Sequence, residues 1–285
     1  MLSSTIFAAP LVLETDFGVS DGAVSAMKGV AYQVDPQTHI SDLTHYIEPH
    51  NTWEASYRLY QTAKYWPKGT VFVIVVDPGV GTERKSIVAK SKTGQYFVTP
   101  DNGTLTLVEE NIGIDEVRLI DEKVNRLPGS ERSHTFHGRD VYAYTGARLA
   151  SGKISFEEVG PKYEAPLVKH DIAKAHQEGH ALIGSIPVLD IRFGNVWTNI
   201  PVQLMDKNSF KLNKKYRVTI FHKKKKVYDK EIPYLKSFGK VANGEELLYL
   251  NSLENLSIAV NQGNFAKRHH ISVGPEWQVK IETKS

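Results

Sequence analysis

The sequence predicts two domains: an α/β N-terminal domain with a mostly parallel central sheet, followed by a small all-β, barrel-like C-terminal domain. Strand-like and helix-like segments alternate in the first half of the chain, which is typical of a sheet covered by helices. The apolar run at 70–76 (TVFVIVV) indicates a strand buried on both faces. After about Lys162, helical periodicity nearly disappears. We therefore assign residues 1–165 and 181–285 to the two domains, with a linker at 166–180.

The N-terminal elements follow from local patterns. The apolar run at 11–16 ends in an acid before a glycine turn, as expected of a strand that leads into a helix. Apolar residues recur at helical spacing from Val24 to Ala31, and Asn51 with Glu54 has the pattern of a helix cap. The predicted order is a strand at 11–16, a helix from Asp21, a helix from Asn51, strands at 70–76, 86–90 and 96–99, and a short helix at 104–110.

Short alternating segments in the second half predict a small barrel or sandwich. The basic run at 223–226 lies between two of these segments, so we interpret it as the solvated tip of a hairpin, with an anion-binding patch as the alternative. The segments are 188–190, 216–222, 247–250, 256–260 and 277–281.

Composition excludes several classes of protein. The chain has 285 residues with 35 basic and 32 acidic side chains, and its net charge of +3 argues against a nucleic-acid partner. No apolar run reaches the roughly 20 residues that a membrane-spanning helix needs. The absence of cysteine excludes disulfides, thiolate metal sites and cysteine nucleophiles. We expect a cytoplasmic protein, or an exported one if residues 1–10 are the remnant of a signal peptide.

A first polar cluster, Thr15-Asp16-Phe17-Gly18 with Asp21, follows the first predicted strand. In open α/β sheets, ligands bind at the carboxyl ends of strands, and a carboxylate there can accept hydrogen bonds from both hydroxyls of a ribose. The alternative is that the aspartate only caps a turn.

A second cluster, Asp77-Pro78-Gly79 through Arg84, follows the buried strand. Proline and glycine predict a tight loop that brings Arg84 back towards Asp77. A carboxylate beside an arginine stays ionised, which suits hydrogen bonding better than general-base catalysis. A purely structural ion pair is the alternative.

A third cluster, His134 to Asp140, contains a His-x-x-His pattern. No HExxH-type partner accompanies it, so we predict no metal site there. We interpret His137 as a neutral histidine beside a reacting water, oriented by a neighbouring carboxylate.

A fourth cluster, Asp190 to Asn199, combines aromatic faces with an amide that can bind a purine edge and a carboxylate that can bind an ammonium group. A β-turn with core aromatics would explain it without a ligand. A purine pocket formed by both domains would explain all four clusters together.

With these motifs in place, the chain resembles the S-adenosyl-L-methionine (SAM) hydrolases, or hydroxide adenosyltransferases, which are relatives of the fluorinase and chlorinase. The likeness covers nearly the whole chain. It depends on six motifs in order: TDFG with Asp21, DLTHYIEP, VDPGVGTER, TPDNG, TFHGRD and FGNVWTN. The resemblance implies an α/β domain followed by a β-barrel, and a homotrimer whose active sites lie at subunit interfaces.

The resemblance also implies roles for individual residues. Asp77, Arg84 and His137 match the catalytic group around the attacking water. Asp16, with Phe17 beside it, matches the acid that binds the ribose hydroxyls, and the remaining matches concern the other parts of the substrate. These are Asp21 and Asp190 near the methionine amino group, Phe193, Asn195 and Trp197 at the adenine, and Asn102 and Ser252 at the border of the pocket.

Three positions separate the hydrolases from the halogenases. The fluorinase has tyrosine and serine where this chain has His137 and Gly138, and it has no acid at the position of Asp77, whose charge would repel a halide. One departure from the family concerns Leu253-Glu254-Asn255, where relatives usually have a glycine.

The resemblance therefore predicts hydrolysis of SAM to adenosine and L-methionine by in-line attack of an activated water on C5′, without a cofactor or metal. We favour His137 as the base because its ordinary pKa is closest to neutral. A non-catalytic SAM or adenosine sensor is the main alternative, and a halide-using adenosyltransferase and a metal-dependent phosphohydrolase are others.

Overall fold

The computed structural model describes residues 8–282, which form two compact units that meet in sequence between His170 and Asp171. We call them the N-terminal unit and the C-terminal unit. The division falls inside the segment that we predicted as a linker, 166–180. No helix among the described residues is both long and apolar enough to span a bilayer.

The N-terminal unit alternates strands and helices. Its elements are β1 (Leu11–Thr15), α1 (Ala23–Val34), β2 (Ile40–Thr44), α2 (Thr52–Ala63), β3 (Val71–Val75), β4 (Ser86–Ser91), β5 (Tyr96–Pro100), α3 (Thr106–Asn111), β6 (Ile114–Leu119), a π-helix (Gly138–Ala143) that continues into α4 (Tyr144–Ala150), and a 3₁₀ turn (Glu157–Val159). Strands β2 and β6 were not predicted, since they form the two edges of the sheet and are only half-buried.

A six-stranded sheet in the order β2-β1-β3-β5-β4-β6 organises this unit. The neighbours β2, β1, β3 and β5 are parallel, and β4 is antiparallel to both β5 and β6. Alternate side chains of β1 and β3 enter different cores: Leu11 and Val73 pack with α1 and α4, whereas Val12 and Phe72 pack with α2 and α3. The sheet is therefore mostly parallel and buried on both faces, as the apolar run predicted.

The C-terminal unit is mostly strand. Its elements are β7 (His176–Glu178), β8 (Ala181–Ile186), β9 (Val188–Asp190), β10 (Asn195–Pro201), α5 (Val202–Lys207), β11 (Lys215–His222), β12 (Lys225–Pro233), a 3₁₀ turn (Phe238–Lys240), β13 (Glu246–Leu250), β14 (Asn255–Val260), α6 (Phe265–His269) and β15 (Gly274–Glu282). The turn between β11 and β12 carries part of the basic run, and Lys223 and Lys224 there adopt positive φ.

The strands of this unit form two antiparallel sheets, in the orders β13-β14-β10-β9 and β12-β11-β15-β8-β7. Side chains of both sheets, such as Ile258 from the first and Val218 from the second, fill one shared core. The barrel-like expectation needs correction here, because the described residues form two separate hydrogen-bonded ladders and no closed barrel.

Candidate active site

Three predicted site residues follow neighbouring strands of the N-terminal sheet. Asp16 comes directly after β1, Asp77 follows Val76 at the end of β3, and Asn102 follows β5. The carboxyl ends of parallel strands lie at the same edge of a sheet, which brings these residues together. Nδ2 of Asn102 donates a 2.8 Å hydrogen bond to the carbonyl of Val76, so this amide fastens the strand that carries Asp77.

The loop from Asp77 to Arg84 is a tight double turn. The amide of Val80 donates to the carbonyl of Asp77, and the amide of Thr82 donates to that of Gly79. Gly81 has a φ of +77°, which glycine adopts without strain. The loop returns Arg84 to Asp77, as the proline and glycine residues predicted.

Arg84 and Asp77 form a largely buried ion pair. The Nε of Arg84 lies 2.9 and 3.0 Å from the two carboxylate oxygens, and Nη2 also donates to Oδ2. The side chains are only 11% and 5% exposed, respectively. Burial by itself would lower the pKa of Arg84, but hydrogen bonding and the charge of Asp77 raise it above its ordinary value. The guanidinium therefore remains positively charged inside the site.

His137 contacts the same ion pair through Arg84, and its ring nitrogens face two arginines in place of the neighbouring carboxylate that we expected to orient it. It lies at the start of the π-helix and is 6% exposed, and its Nδ1 is 3.0 Å from Nη2 of Arg84. The pKa of His137 is lowered, first by burial and then by the charges of Arg84 and Arg126, against the opposing effects of Glu122 and Asp77. The imidazole is consequently neutral at neutral pH and can accept a proton.

Ser86 and Tyr142, which sequence reasoning missed, hold the Arg84 guanidinium in place. Its Nη1 donates to Oγ of Ser86 at 3.0 Å, and that hydroxyl lies 3.0 Å from the Tyr142 hydroxyl. The guanidinium carbon is also 5.6 Å from the centre of the fully buried Tyr142 ring. Tyr142 follows His137 by the i to i+5 spacing of a π-helix, a feature often found at functional sites, and that spacing was the available signal.

A second ion pair, also missed, lies on the other side of His137. Nη2 of Arg126 is 3.2 Å from Nε2 of His137 and 2.5 Å from Oε2 of Glu122. The only sequence signal was the spacing of four residues between the acid and the arginine.

The residues of the first polar cluster, Asp16, Phe17 and Asp21, make different contacts. Oδ2 of Asp16 accepts a 2.9 Å hydrogen bond from the backbone amide of His50. Phe17 packs edge-on against Phe136, and its ring would lie 3.3 Å from a Cβ at position 138, so Phe17 adjoins the segment that carries the imidazole. Asp21 is exposed, and its carboxylate accepts from the amide of Ala23 at the start of α1. That contact forms a turn before α1, whereas the capping alternative concerned Asp16, whose carboxylate accepts from an amide 34 residues away.

In the C-terminal unit, the predicted adenine-side residues form a polar cluster. Asn195 is buried and donates from Nδ2 to Asp190 at 3.0 Å. Trp197 is 7% exposed, and its Nε1 donates to the hydroxyl of Tyr249 at 3.1 Å. Burial raises the pKa of Tyr249 to about 12, so this hydroxyl stays protonated. Sequence reasoning did not single out Tyr249.

Phe193 and Ser252 are both exposed, in contrast to Asn195 and Trp197. The Phe193 side chain is 66% accessible in a turn between β9 and β10, beside Ile191 at 65%. Ser252 lies in the turn between β13 and β14. Neither residue belongs to the core of the C-terminal unit.

The ion pairs around His137 decide whether this site could bind a metal ion. Asp77 and Glu122 each bind an arginine, and within residues 8–282 no group of three or more potential ligands is arranged to hold a metal ion. A fixed guanidinium beside a neutral imidazole can stabilise a water as it loses a proton and can accept that proton.

Comparison with known families identifies the relationship. The N-terminal domain of SAM hydroxide adenosyltransferases matches residues 11–160, and the C-terminal domain of the same family matches residues 184–278. The chain belongs to the SAM hydroxide adenosyltransferase family. The resemblance based on the six motifs is thereby confirmed.

Individual relatives of this family cover most of the chain. A protein from Methanocaldococcus jannaschii named (R)-S-adenosyl-L-methionine hydrolase is 38% identical over 75% of this chain and 74% of its own length. A protein of the same name from Salinispora tropica is 32% identical over 93% of this chain and 95% of its own length. The crystal structure of an uncharacterized conserved protein from Thermotoga maritima superposes with a TM-score of 0.88 at 37% identity, covering 96% of this chain and 100% of that one.

The departure from the family at 253–255 has a structural counterpart. Glu254 has a φ of +59°, a left-handed conformation that favours glycine. Oδ1 of Asn251 accepts hydrogen bonds from the amides of Leu253 and Asn255 and holds the turn closed around Glu254. A glycine in this turn would adopt the same conformation without strain.

Proposed function

We propose that the protein hydrolyses SAM to adenosine and L-methionine. The observation that carries this proposal is the continuous contact of Asp77, Arg84 and neutral His137 at the carboxyl edge of the sheet. Membership of the family and the names of the two relatives support the same reaction.

The proposed reaction is an in-line displacement at C5′. Water forms a bond from its oxygen to C5′ while the C5′–S bond breaks, and the bonding electrons stay on sulfur, which leaves as neutral methionine. The water must lie about 3 to 3.5 Å from the carbon and opposite the sulfur. Because the sulfonium is already a good leaving group, the enzyme mainly has to orient and deprotonate the water.

Each residue of the catalytic group has a separate task in this proposal. Arg84 places a positive charge beside the nascent hydroxide, and Asp77 fixes the plane of the guanidinium through its two carboxylate oxygens. His137 accepts the proton that the water loses at Nδ1, where the water takes the place of Nη2 of Arg84 as the hydrogen-bond partner, and the lowered pKa keeps the imidazole neutral beforehand. Asp77 is bound to Arg84 and offsets its positive charge, which disfavours the binding of a halide and hence a halide-using transferase.

The proposed substrate contacts follow the family resemblance. Asp16 binds the ribose hydroxyls beside Phe17, and its carboxylate already accepts a backbone hydrogen bond. The other contacts that we propose are Asp21 and Asp190 with the methionine amino group, Phe193, Asn195 and Trp197 with adenine, and Asn102 and Ser252 at the border of the pocket.

We also propose a homotrimer with active sites at subunit interfaces, as the resemblance implies. The exposed apolar side chains of Ile191 and Phe193, beside the proposed adenine contacts, support a covered surface there. Light scattering after size exclusion measures the mass directly. A reaction without metal or cofactor and a cytoplasmic location are further parts of the proposal.

The test is a product assay with purified protein, SAM and ¹⁸O water. We expect adenosine and L-methionine in equal amounts, with one label at the adenosine 5′-oxygen and no loss of rate in a chelator. Loss of activity in the chelator and its recovery with a divalent metal would contradict the metal-free reaction. If the protein binds adenosine but does not hydrolyse SAM, we would conclude that it is a sensor and not an enzyme.

A further inference from the structure

His137 lies between two ion pairs. Its Nδ1 faces Arg84, which is bound to Asp77, and its Nε2 faces Arg126 at 3.2 Å, which is bound to Glu122. The Arg126 side chain is only 7% exposed, and its Nη1 also donates to the carbonyl of Ser133. The second guanidinium is therefore held in place by its own partners, independently of His137.

Both guanidiniums can only donate hydrogen bonds, which restricts the imidazole between them. A neutral imidazole has one nitrogen lone pair and can accept from one guanidinium, whereas an imidazolium has none. Protonation of His137 would direct an N–H group towards each of the two cations. The arrangement therefore opposes a resting imidazolium and favours an imidazole that retains a lone pair.

Glu122 acts in the opposite direction. After burial, its charge is the largest influence on the pKa of His137 and raises it, whereas Arg84 and Arg126 lower it. The carboxylate is 37% exposed and is bound to Arg126, so it lies on the outer side of the second pair. The positive charge that the imidazole gains with a proton is thereby offset by the negative charge of Glu122.

We propose that Arg126 and Glu122 are positioning residues for His137: Arg126 keeps the imidazole neutral for the attacking water, and Glu122 offsets the charge that the imidazole gains from that water. The catalytic part of this inference depends on the proposed hydrolysis, whereas the effect on the imidazole does not. Neither residue touches the reacting atoms. Both act through His137.

The other ionisable groups around His137 are few. Asp77 and Arg84 face it from the loop after β3, and His134 precedes it with its ring centre 6.2 Å away. Tyr142 lies beyond Arg84, and burial raises its pKa far above neutral, so it does not titrate in the working range. The effect of removing the charge of Arg126 or Glu122 on the pKa of His137 can therefore be measured while these other groups keep their charges.

The first measurement is the pKa of His137 by NMR on full-length protein labelled at histidine, without substrate. The His137 signal is assigned with His137→Gln. We expect Arg126→Gln to raise this pKa and Glu122→Gln to lower it, each by about one unit, as is typical of the loss of a nearby charge. Arg217→Gln is a charge-matched control, because Arg217 pairs with Asp229 on the surface of the C-terminal unit, and it should leave the pKa unchanged.

The second measurement is the pH profile of kcat with SAM. The acid limb should move up in Arg126→Gln and down in Glu122→Gln, with KM for SAM within about twofold of the parent. Opposite signs are decisive, because a loss of structure alone would move both variants in the same direction. Shifts of the same sign, or no shift in either, would overturn the inference.

The two proposals fail in different ways. If the parent protein does not hydrolyse SAM, the proposed function is wrong, and the NMR titration still decides the effect on His137. If the parent hydrolyses SAM and neither variant shifts the titration, only this inference is wrong. Should Arg126→Gln not fold, Glu122→Gln decides alone, since glutamine retains the shape and an acceptor for Arg126; an unshifted or raised pKa there overturns the proposal.

Discussion

Arg84 binds Asp77 through two adjacent nitrogens, with Nε 2.9 Å from Oδ1 and Nη2 donating to Oδ2. This fork-like contact sets the plane of the guanidinium, and the same Nη2 lies 3.0 Å from His137. The positive charge of Arg84 and the imidazole of His137 are therefore in position before any substrate binds. Pre-organised donors contribute most where charge develops in the transition state.

The catalytic group should affect rate much more than binding. Alanine at Asp77, Arg84 or His137 is expected to lower kcat by about 10²-fold or more, because Arg84 and His137 act on the water and Asp77 holds the Arg84 guanidinium in place. Adenosine affinity, measured by calorimetry, should change little. The double variant of Arg84 and His137 should be barely worse than the worse single one. Parental rates in all three single variants would leave only a binding site.

The pH profile of kcat should reflect the burial of His137. The pKa of this imidazole is below the ordinary 6.5 because of burial and the two arginines, so the base stays neutral to lower pH than an exposed histidine. As pH falls through that lowered pKa, the base becomes protonated and kcat falls. We expect the acid limb of a single-turnover profile to have its midpoint below pH 6.5. A midpoint above this value would contradict His137 as the neutral base.

Asp16→Asn tests the ribose contact. The amide retains size and an acceptor for the backbone amide of His50 but loses the charge, so adenosine binding should weaken by about 1 to 2 kcal/mol. Asp35→Asn is the matched control, since Asp35 also accepts from a backbone amide, that of Gln37, in the same unit. Equal calorimetric affinities in parent and Asp16→Asn would remove this residue from the ribose site.

Tyr142→Phe tests the support behind Arg84. The ring face is retained, but Ser86 loses its hydroxyl partner, so kcat should fall about 3- to 10-fold, less than in the catalytic variants. Tyr228→Phe is the control, because it also removes a buried hydroxyl, bonded to Glu246 in the C-terminal unit. Both variants should lower the unfolding temperature. A similar fall of kcat in both would show that the effect is general destabilisation.

Glu14→Gln should stabilise the protein at high pH. Glu14 is fully buried, and both of its oxygens lack a hydrogen-bond partner among the described residues. Burial raises its pKa well above 4.5, against the lowering effect of Arg58. Above the unfolded pKa, the unfolded chain releases a proton that the folded protein retains, so stability falls as pH rises towards the folded pKa. Glutamine removes this loss.

The measurement is thermal unfolding of parent and Glu14→Gln between pH 5 and 9. The advantage of the variant should grow with pH, whereas Glu157→Gln, an exposed carboxyl on the same unit, should follow the parent. A difference between Glu14→Gln and the parent that does not change with pH would show that Glu14 is ionised in the folded protein.

The order of the first-half elements was predictable where periodicity is strong. The run at 70–76 identified β3 because a strand buried on both faces has no polar positions. The edge strands β2 and β6 were missed because their polar residues resemble loops, and the helical stretch after His137 was missed because a π-helix departs from the usual spacing. In the second half, local alternation predicted strands but not whether the sheets close into a barrel.

The sequence by itself determined the motifs: Asp77 and Arg84 lie seven residues apart around a proline and glycine turn, which is enough to bring them together. The tertiary structure decided the rest of the site. His137 is 53 residues from Arg84, and Tyr142 is 56 residues from Ser86, so only the packing of the π-helix against the sheet makes these contacts. Arg126 and Glu122 carry no motif, because an arginine and an acid four residues apart are common on any surface. Their place beside the imidazole depends on the path of a loop, and no local pattern encodes that path.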